Sequence, residues 1–172
     1  MGTKGLAVVL AENIYENLEL HYPRLRLEEA GYDVKVAGTE KGATYTSKEG
    51  YPVVSDVKYG DIDPKAVKIL VVPGGYAPDK MRRHESCNKL VSGAWNAGAI
   101  VAFVCHGGWV PISAKIVKDR KLTSVAAIRD DLENAGATWV NEPCVVDGKM
   151  VTAQLPKDLP AMMREVLKLA GS

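Results

Sequence analysis

Cys105 stands at a place suited to sulfur chemistry. The segment from Ala99 to Trp109 runs Ala-Ile-Val-Ala-Phe-Val and then Cys-His-Gly-Gly-Trp. A short apolar run bounded by glycines reads as a buried parallel strand. The residues from Trp109 to Val117 read as a helix. The thiol therefore falls at a strand-to-helix turn, where α/β folds display nucleophiles, and a helix N-terminus favours the reactive thiolate. A tight elbow of this kind wants small residues two before and two after the nucleophile. Gly107 complies; Phe103 does not, so it is expected to crowd the turn or shape the pocket. Cys87, in a helical pattern, and Cys144, at the start of a strand, read as structural thiols.

The elements around this turn alternate. Leu6–Leu10 and Lys68–Val72 read as buried strands, and Asp33–Ala37 reads as a strand between them. Helical spacing covers about Glu16 to Ala30, with Pro23 inside it and Gly31 as its cap. A second helix is expected from about Pro78 to Asn96, closed by Gly98, and a third from Ala127 to Asn134, closed by Gly136. Residues 42–56 read as a short β excursion around Gly50-Tyr-Pro. Val145–Val151 reads as two strands joined by Asp147-Gly148, a type I′ hairpin signal. Lys157 to Leu169 is an amphipathic helix. This alternation predicts one α/β domain over 1–172, with a mostly parallel sheet sandwiched by helices, as in flavodoxin-like folds.

Composition narrows the function classes. The chain has 172 residues, 47% of them hydrophobic and 25% charged, which suits a folded core. A net charge of +1 gives no electrostatic case for nucleic acid or a membrane surface. No apolar run approaches a bilayer span, and the opening residues carry no secretion signal. An odd number of cysteines, three, then predicts reduced thiols in the cytoplasm. His84-Glu-Ser-Cys87 offers two ligand types one turn apart, but no second pair has zinc spacing, so no metal is expected. Pro73-Gly-Gly-Tyr-Ala-Pro78 lacks dinucleotide-loop spacing, and no cofactor is expected.

Several motifs in order resemble a known family. Pro73-Gly-Gly75, Val104-Cys-His-Gly107, Ile128-Arg-Asp-Asp-Leu-Glu-Asn-Ala-Gly-Ala137 and Val145-Val-Asp-Gly148 are similar to the PfpI-type intracellular cysteine peptidases. These belong to the ThiJ/PfpI group, which also contains the parkinsonism-associated deglycase and shares the class I glutamine amidotransferase-like fold. Tyr15-Glu-Asn-Leu-Glu-Leu-His-Tyr-Pro23 matches the family's acidic first helix. The resemblance implies Cys105 as nucleophile and His106 as base or ion-pair partner. It implies Glu19 as the carboxyl beside the sulfur and Glu16 as a second acid on the same helix face. Gly74 and Gly75 follow a strand, and their bare main-chain N–H groups suit an oxyanion hole, with the residue after Cys105 as the other donor. Asp79 matches a carboxylate, often Glu, that reaches the histidine of a neighbouring subunit. Trp109 replaces a smaller pair with an aromatic wall, which favours small substrates.

The function so implied is attack by the Cys105 thiolate on a carbonyl. The carbonyl belongs either to a peptide, which is hydrolysed, or to methylglyoxal or its protein adducts, in a glyoxalase or deglycase reaction. A different class fits the same thiol: a redox-sensing or chaperone-like stress protein that uses oxidation of Cys105. The resemblance also implies self-association, as a dimer or a hexamer.

Overall fold

Leu6–Leu10 (β1) is apolar throughout, and its last four residues are buried, as a strand covered on both faces requires. In the computed structural model, which describes residues 2–171, it is followed by α1 (Asn17–Glu29), β2 (Asp33–Gly38), β3 (Thr44–Thr46), β4 (Pro52–Val54) and β5 (Val57–Lys58). Next come β6 (Val67–Val72), α2 (Ala77–Met81), α3 (Glu85–Asn96), β7 (Ile100–Val104) and α4 (Trp109–Ser113). The last part holds β8 (Lys121–Leu122), α5 (Arg129–Asn134), β9 (Thr138–Trp139), β10 (Cys144–Asp147), β11 (Met150–Ala153) and α6 (Leu159–Leu169).

The main sheet has seven strands in the order β10-β11-β7-β6-β1-β2-β5. All its pairings are parallel except that of β10 with β11. Helices α1 and α6 pack together and onto the sheet, while α3 packs on β6 and β7 beside α4. The mostly parallel sheet flanked by helices is the architecture expected from the alternating pattern. It has a functional consequence. Strand order runs one way from β1 to β2 and the other way from β1 through β6 to β7. The carboxyl ends of β1, β6 and β7 therefore border a topological switch point, the crevice where open α/β sheets place their sites.

Three local expectations change. The helix read from Pro78 to Asn96 is two helices, broken at Arg82–His84. His84 is extended there (φ −92°, ψ 115°), and the Asn88 side-chain amide donates to the Arg82 carbonyl, satisfying the broken end. The helix read from Trp109 to Val117 stops at Ser113, and Lys115 takes a positive φ of 62°. The hairpin turn lies one residue later than its signal. Asp147 pairs with Met150, so Gly148 and Lys149 form the loop, with positive φ at Gly148 and none at Lys149, a II′ pattern.

Candidate active site

Cys105 leaves β7 with φ 59°, a left-handed conformation that a side chain adopts only at a cost of about 1–3 kcal/mol. The neighbours impose it. A 3₁₀ turn, Cys105–Gly108, follows immediately. A Cβ on Gly107 would lie 2.5 Å from the Val72 carbonyl oxygen, so that turn can close against β6 only with glycine there. Phe103 is fully buried, and a Cβ on Gly108 would meet its ring at 3.0 Å. Phe103 therefore supports the turn from below and does not shape the pocket. The elbow tolerates it because the ring lies in the core beneath Gly108.

Opposite the sulfur, β6 ends in Pro73-Gly-Gly75. Gly74 is bare because a Cβ would sit 2.5 Å from Glu19 Oε2 and 2.8 Å from Cys105 Cβ. Gly75 has φ 76°, and a Cβ there would strike the Ile14 carbonyl oxygen at 2.5 Å. Main-chain N–H groups of His106 and Gly75 both donate towards the Cys105 sulfur. Of the donors expected from the sequence, Gly75 and His106 therefore face the sulfur. Gly74's own N–H is occupied, donating to Glu19 Oε2 at 2.7 Å.

Glu19 is fully buried in the first turn of α1. Its second oxygen, Oε1, is buried with no hydrogen-bond partner among the described residues, and the carboxyl as a whole interacts with the Cys105 thiol. Burial first, and then the neighbouring Glu16 charge, push the Glu19 carboxyl up to about 7. Burial and the Glu19 charge push the Cys105 thiol up to about 12, against the two N–H donors and Lys48. The thiolate favoured by a helix terminus is thus not what this turn provides while Glu19 is ionised: α4 is short, and desolvation outweighs it. Protonating Glu19 removes that repulsion, so the thiol ionises more readily beside the neutral carboxyl and the two groups titrate as a coupled pair.

His106 Nδ1 lies 3.4 Å from Cys105 Sγ, so the adjacent imidazole does reach the thiol. Burial and the Lys48 charge lower its pKa, which keeps the ring neutral near pH 7 and able to take a proton. Its ring centroid is 5.2 Å from that of Trp109. The Trp109 indole N–H donates to Asp131 Oδ2 at 2.8 Å, and the Arg82 guanidinium lies 5.8 Å from its ring centroid. The aromatic wall is therefore fixed from α5 and from the break after α2.

Cys105, His106, Gly75 and Trp109 border one cavity of about 320 Å³, together with Lys48 and Tyr76. Glu16 is not on its lining. It is the N-cap of α1, accepting the Glu19 backbone N–H at 2.8 Å, and acts on the site through its charge. Asp79 lies on α2 and pairs with Arg83 one turn along, so no hydrogen bond or ion pair joins it to His106 within the chain. Among the described residues, no three His, Cys, Asp or Glu side chains gather as a metal would require. Lys48 and Tyr76 escaped the sequence reading. Tyr76 adjoins the Gly-Gly turn and could have been found by extending that motif by one residue. Lys48 belongs to no motif and arrives through the β3–β4 hairpin.

A parallel sheet with a cysteine elbow at its switch point, a glycine pair opposite and a buried carboxyl beneath the sulfur defines a class of cysteine-centred α/β proteins. The chain belongs to the DJ-1/PfpI family, whose model matches residues 5–169. It is 42% identical over 160 residues to the deglycase PfpI of Pyrococcus furiosus, covering 93% of this chain and 96% of that protein. Deglycase TK1284 of Thermococcus kodakarensis is 42% identical over 162 residues, covering 94% and 97% of the two chains. Among solved structures, a two-domain protein of Anabaena variabilis with DJ-1/ThiJ/PfpI-like and ferritin-like domains superposes with a TM-score of 0.95 at 33% identity, over 97% of this chain. This chain spans 48%, about half, of that protein. Drosophila melanogaster DJ-1beta shares the fold, with a TM-score of 0.89 at 22% identity over 100% of this chain and 92% of that one.

Proposed function

We propose that the chain is a cysteine-dependent enzyme acting on small carbonyl compounds, 2-oxoaldehydes such as methylglyoxal and their early adducts, without a cofactor. One observation carries this reading: the Cys105 sulfur meets two main-chain N–H groups and a protonatable carboxyl at the floor of a cavity of about 320 Å³. The relatives named deglycases support it. In the proposed reaction the thiol proton passes to His106, and sulfur bonds to the aldehyde carbon. The C=O electron pair moves onto oxygen, which the N–H groups of Gly75 and His106 receive. Glu19 supplies a proton to that oxygen, giving a hemithioacetal. His106 or the Glu19 carboxylate then moves the remaining C1 proton to C2 through an enediolate, leaving a thioester. Water cleaves the thioester to the hydroxy acid and restores the thiol. The net reaction adds one water and needs no external oxidant or reductant.

A peptide substrate is less well served. Trp109 is braced on both sides, and Asp79 is held by Arg83, so an acid for His106 would have to come from a second copy. The redox reading keeps one specific support: the unpartnered Glu19 Oε1 could donate to an oxidised Cys105. Mild peroxide separates the cases, because a sensor gains a stable +32 Da species and altered binding, whereas a dedicated enzyme only loses turnover. A reducing compartment such as the cytoplasm suits three free cysteines.

The test is lactate production from methylglyoxal without added thiol, by wild type and by Cys105→Ala. Turnover is expected in the first and a loss of at least about 1,000-fold in the second. Equal turnover in the two would end this reading.

A further inference from the structure

Of the six residues that line the cavity, Lys48 alone carries a permanent charge. Nothing in the proposed reaction uses it. The backbone places it firmly. The Lys48 N–H donates to the Tyr15 carbonyl at 2.9 Å. Tyr15 forms a parallel bridge to Ser47 and an antiparallel bridge to Gly75. The loop itself is tied. The Ser47 hydroxyl accepts from the N–H groups of Glu49 at 3.2 Å and Tyr51 at 3.0 Å, and the Tyr15 hydroxyl donates to the Tyr51 carbonyl at 2.8 Å. The residue that brings an oxyanion donor to the sulfur therefore brings the ammonium as well.

We propose that Lys48 forms an anion subsite facing Cys105, and that among small carbonyl compounds the site favours those bearing a carboxylate close to the reactive carbon over neutral ones such as methylglyoxal. The inference rests on the reading of Cys105 as nucleophile and narrows its substrate class. The Gly75 and His106 N–H groups are taken by the developing oxyanion, and Trp109 and Tyr76 offer aromatic walls. A second negative group in the cavity has one place to go. Among the described residues the ion pair formed by the Lys48 ammonium is with Glu49 at 3.6 Å, and both side chains are about half exposed, where ion pairs contribute little. Its charge is also felt at the cavity floor, lowering the pKa values of His106, Cys105 and Glu19 alike. A small cavity keeps the carboxylate near the carbonyl carbon, which excludes long acidic chains.

Alkylation of Cys105 tests this without relying on turnover. Iodoacetamide and iodoacetate react identically, forming a carbon–sulfur bond and releasing iodide, but only iodoacetate carries a carboxylate. Rates are read by mass spectrometry at Cys105 in wild type, Lys48→Met and Lys48→Arg. The ratio of the iodoacetate to the iodoacetamide rate cancels any change in thiolate population. The ratio in wild type is expected to exceed that of glutathione, to fall about ten-fold in Lys48→Met, and to be kept in Lys48→Arg. A ratio unchanged in Lys48→Met, or equal to that of glutathione in wild type, overturns the subsite while leaving the nucleophile intact. A Cys105 inert to both reagents overturns the nucleophile and the subsite together.

Discussion

Glu19 and Cys105 sit close enough that neither ionises without regard to the other. The carboxyl, pushed up to about 7 by burial and Glu16, holds its proton near neutrality. Proton donation from Glu19 therefore fades as pH rises through about 7, and kcat for methylglyoxal is expected to fall on that limb. Glu19→Gln keeps an acceptor for the Gly74 N–H but cannot transfer a proton. It should lose about 100-fold in kcat and erase the limb, while Cys105 remains open to alkylation. A pH profile of the variant that retains the wild-type limb would assign the titration elsewhere. At this scale much of the site was legible, because its chemistry is local. Cys105, His106 and Gly107 are consecutive in the chain, and Gly74 with Gly75 announces a tight backbone. Lys48 was not, because a lysine in a polar hairpin looks the same whether it faces solvent or a cavity. Glu16 was expected on a helix face beside Glu19, but it is the extended residue before α1 and its carboxylate caps the helix terminus.

Among the elements, the short helices around Trp109 decide how wide the cavity is. The indole is held by Asp131 from α5 and flanked by Arg82, where the segment from Pro78 to Asn96 breaks. Asp131→Ala removes one hydrogen bond at an exposed rim, costing about 1 kcal/mol or less, and frees the ring to swing. The ratio of phenylglyoxal to methylglyoxal turnover is expected to rise about five-fold, with a shift in tryptophan fluorescence. An unchanged ratio would mean that the wall is set by packing alone. The strands were readable as apolar runs, and Gly31, Gly98 and Gly136 did follow helices with positive φ. The break at Arg82–His84 was not readable, since no proline or glycine marks it; a side chain six residues away, Asn88, satisfies the carbonyl that the break exposes. The pairing of β8 with β9 was missed because each strand is only two residues long.

For the whole molecule, the site has a thermodynamic cost that pH reveals. The Glu19 pKa rises from 4.5 in the unfolded chain to about 7 in the fold, so between these values the native state binds more protons. Its contribution is most favourable below about 4.5 and is lost as pH rises towards about 7, by up to about 3 kcal/mol. Denaturant unfolding across that window should show wild-type stability declining, while Glu19→Gln stays flatter. Parallel curves would place the linkage on another group. The general α/β plan was legible because alternating strands and helices leave few topologies, whereas the strain at Cys105 follows from tertiary contacts that no local pattern encodes.

Tyr15 has a further consequence for how such a molecule can diversify. Its links to Lys48 and Gly75 run through the peptide backbone, which every residue type but proline can supply in full. The two residues at 48 and 49, between the Ser47 hydroxyl that ties the loop and Gly50 with its positive φ, are thus a cartridge seated on a largely generic socket. Its lettering can be rewritten, and the charge it presents exchanged, while the cysteine elbow and its hydrogen-bond donors are left undisturbed.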